Sequence, residues 1–165
     1  MAKNITFRLD DRLIHGQVAT LWVSALNAER IVVIDDQVAV DEFQKEILTF
    51  VAPPNVAVDI YSVADAEKAW KETKFTDNNV LVLFKNVDQI KKTYESEIPL
   101  KALTIGQTAI TGDRKLVHRQ VGFTEEEAKI LLELDKEGVG VFFQMIPTDG
   151  KVDLIKKLEK TFCGL

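Results

Sequence analysis

Val80-Leu81-Val82-Leu83-Phe84, residues 80–84, is an unbroken apolar run of strand length, with Asn79 before it and Lys85-Asn86 after it. No polar residue alternates within it, so a strand here must be covered on both faces, as a central strand of a parallel sheet is. Working outward, Ile31-Val32-Val33-Ile34 repeats the pattern and ends in Asp35-Asp36. Val56 to Ile60 is a third such run, Leu103-Thr104-Ile105 a shorter one ending at Gly106, and Val139 to Ile146 the last. Ile5-Thr6-Phe7-Arg8-Leu9 opens the series and is apolar on one face only.

Helical signals fill the gaps. Val18, Leu21, Trp22, Ala25 and Leu26 recur at helical spacing as one stripe, and a second helix carries Phe43, Ile47, Phe50 and Val51 and stops before Pro53-Pro54. Ser62 with Asp65, and Thr124 with Glu127, read as capping boxes for helices holding Ala66, Ala69 and Trp70, and Leu131, Leu132 and Leu134. A weaker helix runs through Ile90 and Tyr94. Thr148-Asp149 is expected to cap a terminal helix with Leu154, Ile155, Leu158 and Phe162 inward, and Thr108 to Val121 reads as a hairpin turning at Gly112-Asp113. Six strands interleaved with helices imply right-handed crossovers and a mostly parallel sheet covered on both faces, in a single domain over residues 1–165.

The composition excludes several functions. At 46% hydrophobic and 28% charged, 165 residues suffice for one core. A net charge of -5, from 21 Lys and Arg against 26 Asp and Glu, argues against nucleic acid as a partner. The single Cys163 excludes a disulfide framework and a Cys-rich zinc site, and with two histidines any metal site would lean on carboxylates. No apolar run approaches the roughly 20 residues a bilayer span needs. The N-terminal MAKNITFRLDDR is too polar for a signal peptide, so a cytoplasmic chain is expected.

In open parallel sheets, ligands sit beyond the C-terminal strand ends. There the first strand runs into Asp10-Asp11-Arg12-Leu13-Ile14-His15-Gly16-Gln17, which concentrates two carboxylates, a guanidinium and an imidazole in one loop. Imidazole is nucleophilic when neutral and titrates near physiological pH, so His15 is a candidate phosphoryl acceptor. Gly16 lets the backbone come close, and helix N–H groups following it favour an anion. Arg12 can donate a fork of hydrogen bonds to phosphoryl oxygens, and Asp10 or Asp11 can fix the imidazole tautomer. The same residues also have ordinary uses, since Asp is a common N-cap and Arg12 is by default a solvated charge. Lys85 and Gln107 follow the fourth and fifth strands and would reach a phosphate on His15 if those strands flank the first. Asp35-Asp36 stands where a dinucleotide fold keeps its ribose-binding acid, but no G-x-G-x-x-G follows the first strand and no Walker A motif is present. His118, beside Arg114, Lys115 and Arg119, reads as part of a solvated basic edge.

The run RLDDRLIHGQVATLW, residues 8–22, closely resembles the active-site segment of the enzyme IIB components of the mannose-type sugar phosphotransferase system (PTS). The likeness extends to VVIDDQVAVDEFQ, residues 32–44, to Ile105-Gly106, and to IPTDGKVDLIKK, residues 146–157. The resemblance implies an α/β fold, a three-layer α/β/α sandwich with a mainly parallel six- or seven-stranded sheet. It implies a phosphocarrier: His15 takes a phosphoryl group from a phosphohistidine of a IIA protein and passes it to a sugar held by membrane components IIC and IID. Arg12 matches the arginine that supports this transfer, with Asp10, Asp11, Arg8, Gly16, Gln17, Lys85 and Gln107 around it, without a cofactor or metal. A site at the permease surface is implied, and a homodimer is allowed. The chain departs from its relatives at Gln107-Thr108 and in the loop that follows. The family handles mannose, fructose, sorbose and N-acetylgalactosamine, and the IPTDGKVDL tail leans toward the last. The alternative is a receiver-like signalling domain phosphorylated on an aspartate, with Asp10-Asp11 as metal-binding acids and Asp59 as acceptor. Against it, Asp59 lies inside VAVDIY rather than in an acceptor loop, and no Lys-Pro pair follows a fifth strand.

Overall fold

β4 (Asn79–Phe84) pairs in parallel with β2 (Arg30–Ile34) on one side and β1 (Asn4–Asp10) on the other. This computed structural model describes residues 4–75 and 79–165, so the reading of the N-terminal segment falls partly, at residues 1–3, outside the described residues. Side chains of β4 alternate between two cores: Val80, Val82 and Phe84 enter one with Phe7, Leu9, Val32 and Ile34, while Leu81 and Leu83 enter the other with Ile31 and Val33. That division follows from the period-two geometry of a strand, and it explains why a run without polar residues was needed.

The sheet order is β3 (Ala57–Tyr61), β2, β4, β1, β5 (Ala102–Gln107), β8 (Gly140–Phe143), β9 (Val152–Asp153), seven strands among the described residues. All pairings are parallel except that of the two-residue edge strand β9 with β8. The first core is covered by α3 (Val63–Thr73), α4 (Val87–Tyr94), α5 (Glu125–Lys136) and α6 (Leu154–Thr161). The second is covered by a five-residue π turn, Val18–Trp22, leading into α1 (Val23–Leu26), and by α2 (Glu42–Val51). The result is a three-layer α/β/α sandwich. From β1 the chain moves to one side of the sheet and from β5 to the other, so the β1–β5 seam is the point where the winding reverses.

Local signals account for most boundaries. Thr124 and Glu127 form the reciprocal capping box, Thr124 Oγ1 accepting from Glu127 N at 3.1 Å and Glu127 Oε2 from Thr124 N at 2.9 Å. Ser62 caps α3 by accepting from Asp65 N. Leu154, Ile155, Leu158 and Phe162 are buried as the spacing requires.

Five expectations are corrected. The small antiparallel ribbon of β6 (Lys115–His118) and β7 (Val121–Phe123) turns at Arg119-Gln120, with Arg119 at φ 47°, while Gly112 at φ 62° makes a separate turn upstream. The cap of α6 is Asp153, whose side chain accepts from Ile155 N; Thr148-Asp149 belong to a loop fastened by Gln144 Nε2, which donates to the carbonyls of Pro147 and Asp149. The last parallel strand stops at Phe143 because Gln144 turns into that loop. In the first helical segment Leu21 is exposed: the π turn inserts a residue, so Val18, Trp22 and Val23 point inward. On α2 only Leu48 is buried, and Phe43, Ile47, Phe50 and Val51 face outward, Phe50 being 89% exposed.

Candidate active site

β1 leaves the sheet between β4 and β5, so the premise that these strands flank it holds. Its pairing with β5 slips at the end: Leu9 faces Ile105 but Asp10 faces Gln107, leaving Gly106 as the extra residue. The chain then folds back tightly. Asp11 N donates to Gln107 O at 3.1 Å and Leu13 N to Asp10 O at 2.9 Å, with Leu13 in the left-handed region at φ 56°. That conformation is unfavourable for leucine, and it is held because Leu13 and Ile14 are both buried in the second core. Helical structure starts directly after His15, whose carbonyl accepts from Ala19 N at 2.8 Å. The N–H groups of Gly16, Gln17 and Val18 therefore lack acceptors within the helix.

Asp10 is fully buried and is the hub of the site. Its Oδ1 accepts from Arg12 N at 3.1 Å and Arg12 Nε at 3.0 Å. Its Oδ2 accepts from Arg12 Nη2 at 2.9 Å and lies 3.1 Å from His15 Nε2. Burial alone would raise the Asp10 pKa, but the hydrogen bonds from His15 and Arg12 outweigh it and hold the carboxyl below the ordinary range. The His15 side chain is 18% exposed, and no hydrogen bond among the described residues engages its Nδ1. Arg12 grips Asp10 while keeping 33% of its side chain exposed.

Beneath them lies Arg8, almost sealed. Its Nη1 donates to Gln144 O at 2.7 Å and its Nη2 to Met145 O at 2.9 Å, and its Cζ sits 4.3 Å from the ring centre of Trp22. Burial lowers its pKa to about 10, with nearby Asp10 opposing the shift, so it is a cation at neutral pH. Two guanidiniums, of Arg8 and Arg12, thus stand against the single carboxylate of Asp10.

The expected residues divide accordingly. Asp10, Arg12, His15 and Arg8 form one cluster, and Asp11 and Gln107 join it through the backbone bond between them. Asp11 Oδ1 is buried with no partner. Gly16 and Gln17 are exposed beside His15, and a Cβ on Gly16 would meet nothing within 4 Å, so that glycine is not demanded by packing. Lys85 is exposed directly after β4, where its charge helps lower the pKa of Asp41, and no hydrogen bond or ion pair among the described residues joins it to Asp10, Arg12 or His15. Asp59 lies within edge strand β3, paired to Arg30, which fits no acceptor role. The basic run of the ribbon is dispersed: Arg114 pairs with Glu127, Lys115 lies over Phe162, and His118 packs edge-on against Phe143 with its Nε2 buried and unpartnered. Asp35 and Asp36 serve the backbone, accepting from Gln37 N, Val38 N and Val63 N.

Sequence reasoning missed Trp22, Gly106 and the Gln144-Met145 carbonyls. Trp22 read as an apolar stripe residue, yet its Nε1 donates to Met145 O at 3.1 Å. A signal existed for Gly106, since a glycine inside a strand pattern marks close approach of another group. A Cβ there would lie 2.0 Å from Arg8 Nη2.

The model of the PTS sorbose-subfamily IIB component matches residues 5–163. The chain belongs to that family. It is 33% identical over 156 residues to the mannose-specific EIIAB component of Escherichia coli K12, covering 93% of this chain and 48% of the relative, so it spans about half that protein's length. It is 31% identical over 158 residues to the fructose-specific EIIB component of Bacillus subtilis, covering 96% of this chain and 97% of that one. The solved IIB domain of the sorbose permease of Klebsiella pneumoniae superposes with a TM-score of 0.90 at 31% identity, over 97% of this chain and 99% of that one. No helix among the described residues is long and apolar enough to cross a membrane.

Proposed function

We propose that the chain is a phosphocarrier in which His15 Nδ1 takes a phosphoryl group from a phosphohistidine of a IIA protein and gives it to a sugar. The observation that carries this is the bond between Asp10 Oδ2 and His15 Nε2. A carboxylate can only accept, so it fixes the proton on Nε2 and leaves the lone pair on Nδ1. In the first step that lone pair attacks phosphorus in line, the donor N–P bond breaks, and the donor imidazole leaves neutral. The His15 ring becomes an imidazolium carrying the phosphoryl group, and its Nε2–H remains on Asp10, whose charge balances it. Arg12, part-exposed, turns from Asp10 to the phosphoryl oxygens, where transition-state charge spreads. First-turn N–H groups after His15 add fixed donors. In the second step a sugar hydroxyl displaces the ring, the O–P bond forms, and the hydroxyl proton leaves to water.

The relatives' names support a hexose of the mannose, fructose or sorbose kind as the acceptor, with N-acetylgalactosamine as the competitor suggested by the tail. The EIIAB relative carries a further portion beyond the matched half, as its name indicates, which supports a IIA donor as partner. In this reading the chain works as one IIB domain at the cytoplasmic face of IIC and IID components. The test is incubation with phosphorylated IIA protein, followed by chemical lability and ¹⁵N–³¹P coupling of the product. Acid-labile, base-stable label on His15 Nδ1, absent from His15→Ala, is expected. Label that survives His15→Ala, or that is lost in base and requires Mg²⁺, would replace this reading with an acyl phosphate.

A further inference from the structure

Arg8 is a full charge at 1% exposure inside a strand with a neighbour on each side, where an apolar residue is the rule. It occupies a slot built from four parts of the chain: β1 itself, Gly106 of β5, the Gln144 and Met145 carbonyls after β8, and the indole of Trp22 in the π turn. Its Nη2 is 3.9 Å from Asp10 Oδ2, the oxygen that also meets Arg12 and His15, and both side chains of this pair are buried. Sealed in this way, it has no route to a phosphoryl group on His15. Its Nε has no partner, so hydrogen bonding alone does not account for it.

We propose that Arg8 is a positioning residue: a fixed cation under Asp10 that keeps the carboxylate ionised and aimed at His15 Nε2 while Arg12 is engaged with phosphate. The inference rests on the phosphocarrier reading for its purpose. In the resting site Arg12 makes two side-chain bonds to Asp10 and a third through its backbone. When the guanidinium turns away, a buried carboxylate keeps only one backbone N–H and one imidazole. A carboxyl so placed tends to take up a proton. Protonated Asp10 would donate to Nε2, move the ring proton to Nδ1, and so remove the nucleophilic lone pair. Arg8 opposes this because it cannot follow Arg12: two carbonyls and an indole hold it in place. The charged or titratable groups within ion-pair distance of Asp10 among the described residues are Arg8, Arg12 and His15, while Gln107 and Gln144 from the neighbouring strands are neutral. Arg8 also joins the site to the rest of the fold, since Met145 O accepts both Arg8 Nη2 and Trp22 Nε1.

The test uses the full chain with ¹⁵N-labelled histidine, reading the His15 tautomer by long-range ¹H–¹⁵N correlation and transfer by the rate from phosphorylated IIA protein. Wild type should hold the Nε2–H tautomer. Arg12→Ala, which mimics departure of that guanidinium, should keep it because Arg8 remains. Arg8→Met should admit the Nδ1–H tautomer and slow transfer at saturating donor about 10²-fold, the cost of a small misplacement of the reacting group, with half-saturating donor concentration unchanged. Arg8→Lys should restore the tautomer and recover part of the rate. A wild-type tautomer and rate in folded Arg8→Met would overturn the proposal. So would loss of the Nε2–H tautomer in Arg12→Ala, a reading that does not depend on Arg8→Met folding. If wild type takes no label from phosphorylated IIA protein, the phosphocarrier reading fails, yet the tautomer measurements still decide what Arg8 does to Asp10 and His15.

Discussion

Replacing Gly106 by alanine tests whether the Arg8 slot is as tight as its geometry states. Glycine inside a strand is usually less stable than alanine by about 0.5–1 kcal/mol, so with free space the substitution should stabilise the chain. Here the added Cβ would lie 2.0 Å from Arg8 Nη2, 2.7 Å from Cζ and 3.2 Å from Asp10 Oδ2. The guanidinium cannot retreat without giving up its bonds to Gln144 O or Met145 O. Overpacking costs about 1–3 kcal/mol. One charge-assisted bond lost adds about 1.5–3 kcal/mol. Gly106→Ala should therefore destabilise by about 2.5–6 kcal/mol, a large share of the roughly 5–15 kcal/mol that holds a domain together. Urea unfolding followed by tryptophan fluorescence suits the measurement, because Trp22 lies against the affected group. The double variant Arg8→Met/Gly106→Ala supplies the control: removing the guanidinium relieves the overlap, so the pair should cost several kcal/mol less than the two singles added. A neutral or stabilising Gly106→Ala, or strict additivity in the double variant, would refute the slot.

Further expectations concern the hub and its surroundings. Asp10→Asn strands the Arg8 charge and should cost about 3–5 kcal/mol at pH 7, measured by urea unfolding. Because the folded Asp10 pKa is depressed, the stability it contributes is complete above the unfolded value near pH 4 and lost as pH falls through the lower folded one. Wild type should thus show that acid loss, and Asp10→Asn a flatter profile. Arg12→Ala removes two charged hydrogen bonds from a buried carboxylate and should destabilise by about 1–3 kcal/mol, discounted for the guanidinium's part exposure. Its phosphoryl transfer in stopped-flow or quench assays should nevertheless slow by about 10²–10³, the range for removing one transition-state donor. Thr124→Ala removes half of the α5 capping box and should cost about 1 kcal/mol by thermal melting while leaving labelling of His15 unchanged.

How much of this was legible depends on whether the cause was local. β4 announced itself because burial on two faces admits no polar residue, and the α5 cap because both partners lie within one turn. The candidate loop was legible for the same reason: Asp10, Arg12 and His15 lie close in sequence and meet at one carboxylate. What failed depended on distant partners. The ribbon turns at Arg119-Gln120 rather than at Gly112-Asp113 because pairing of Lys115 with Phe123 sets the register, and a Gly-Asp pair cannot report that. The outward face of α2 is invisible to periodicity, which shows that Phe43, Ile47 and Phe50 share a side but not which way it points. Arg8 is the extreme case. An arginine within an apolar strand reads as a solvent-side residue until a carbonyl pair 136 and 137 residues away is placed opposite it.

The π turn shows how these distant contacts bear on the chemistry. An α-helix beginning at residue 16 would carry Leu21 and Trp22 together on the stripe shared with Val18 and Ala25, as the sequence spacing suggests. The wider turn instead leaves Leu21 outside while Trp22 stays inward, against Arg8 and Met145 O. Extra residues of this kind sit frequently at functional sites because they redirect one side chain while the helix continues. Here the side chain displaced outward is Leu21, and the one kept inward, Trp22, closes the slot that holds the buried cation. The turn bearing His15 and the β8–β9 loop are thereby fastened to one group. In a carrier that must release its cargo, the mobile contacts to phosphate have to be few, because equally strong binding of every state gives no rate. On the phosphocarrier reading proposed above, rigidity has to come from elsewhere, and the Arg8–Trp22–Met145 junction is placed to supply it away from the cargo.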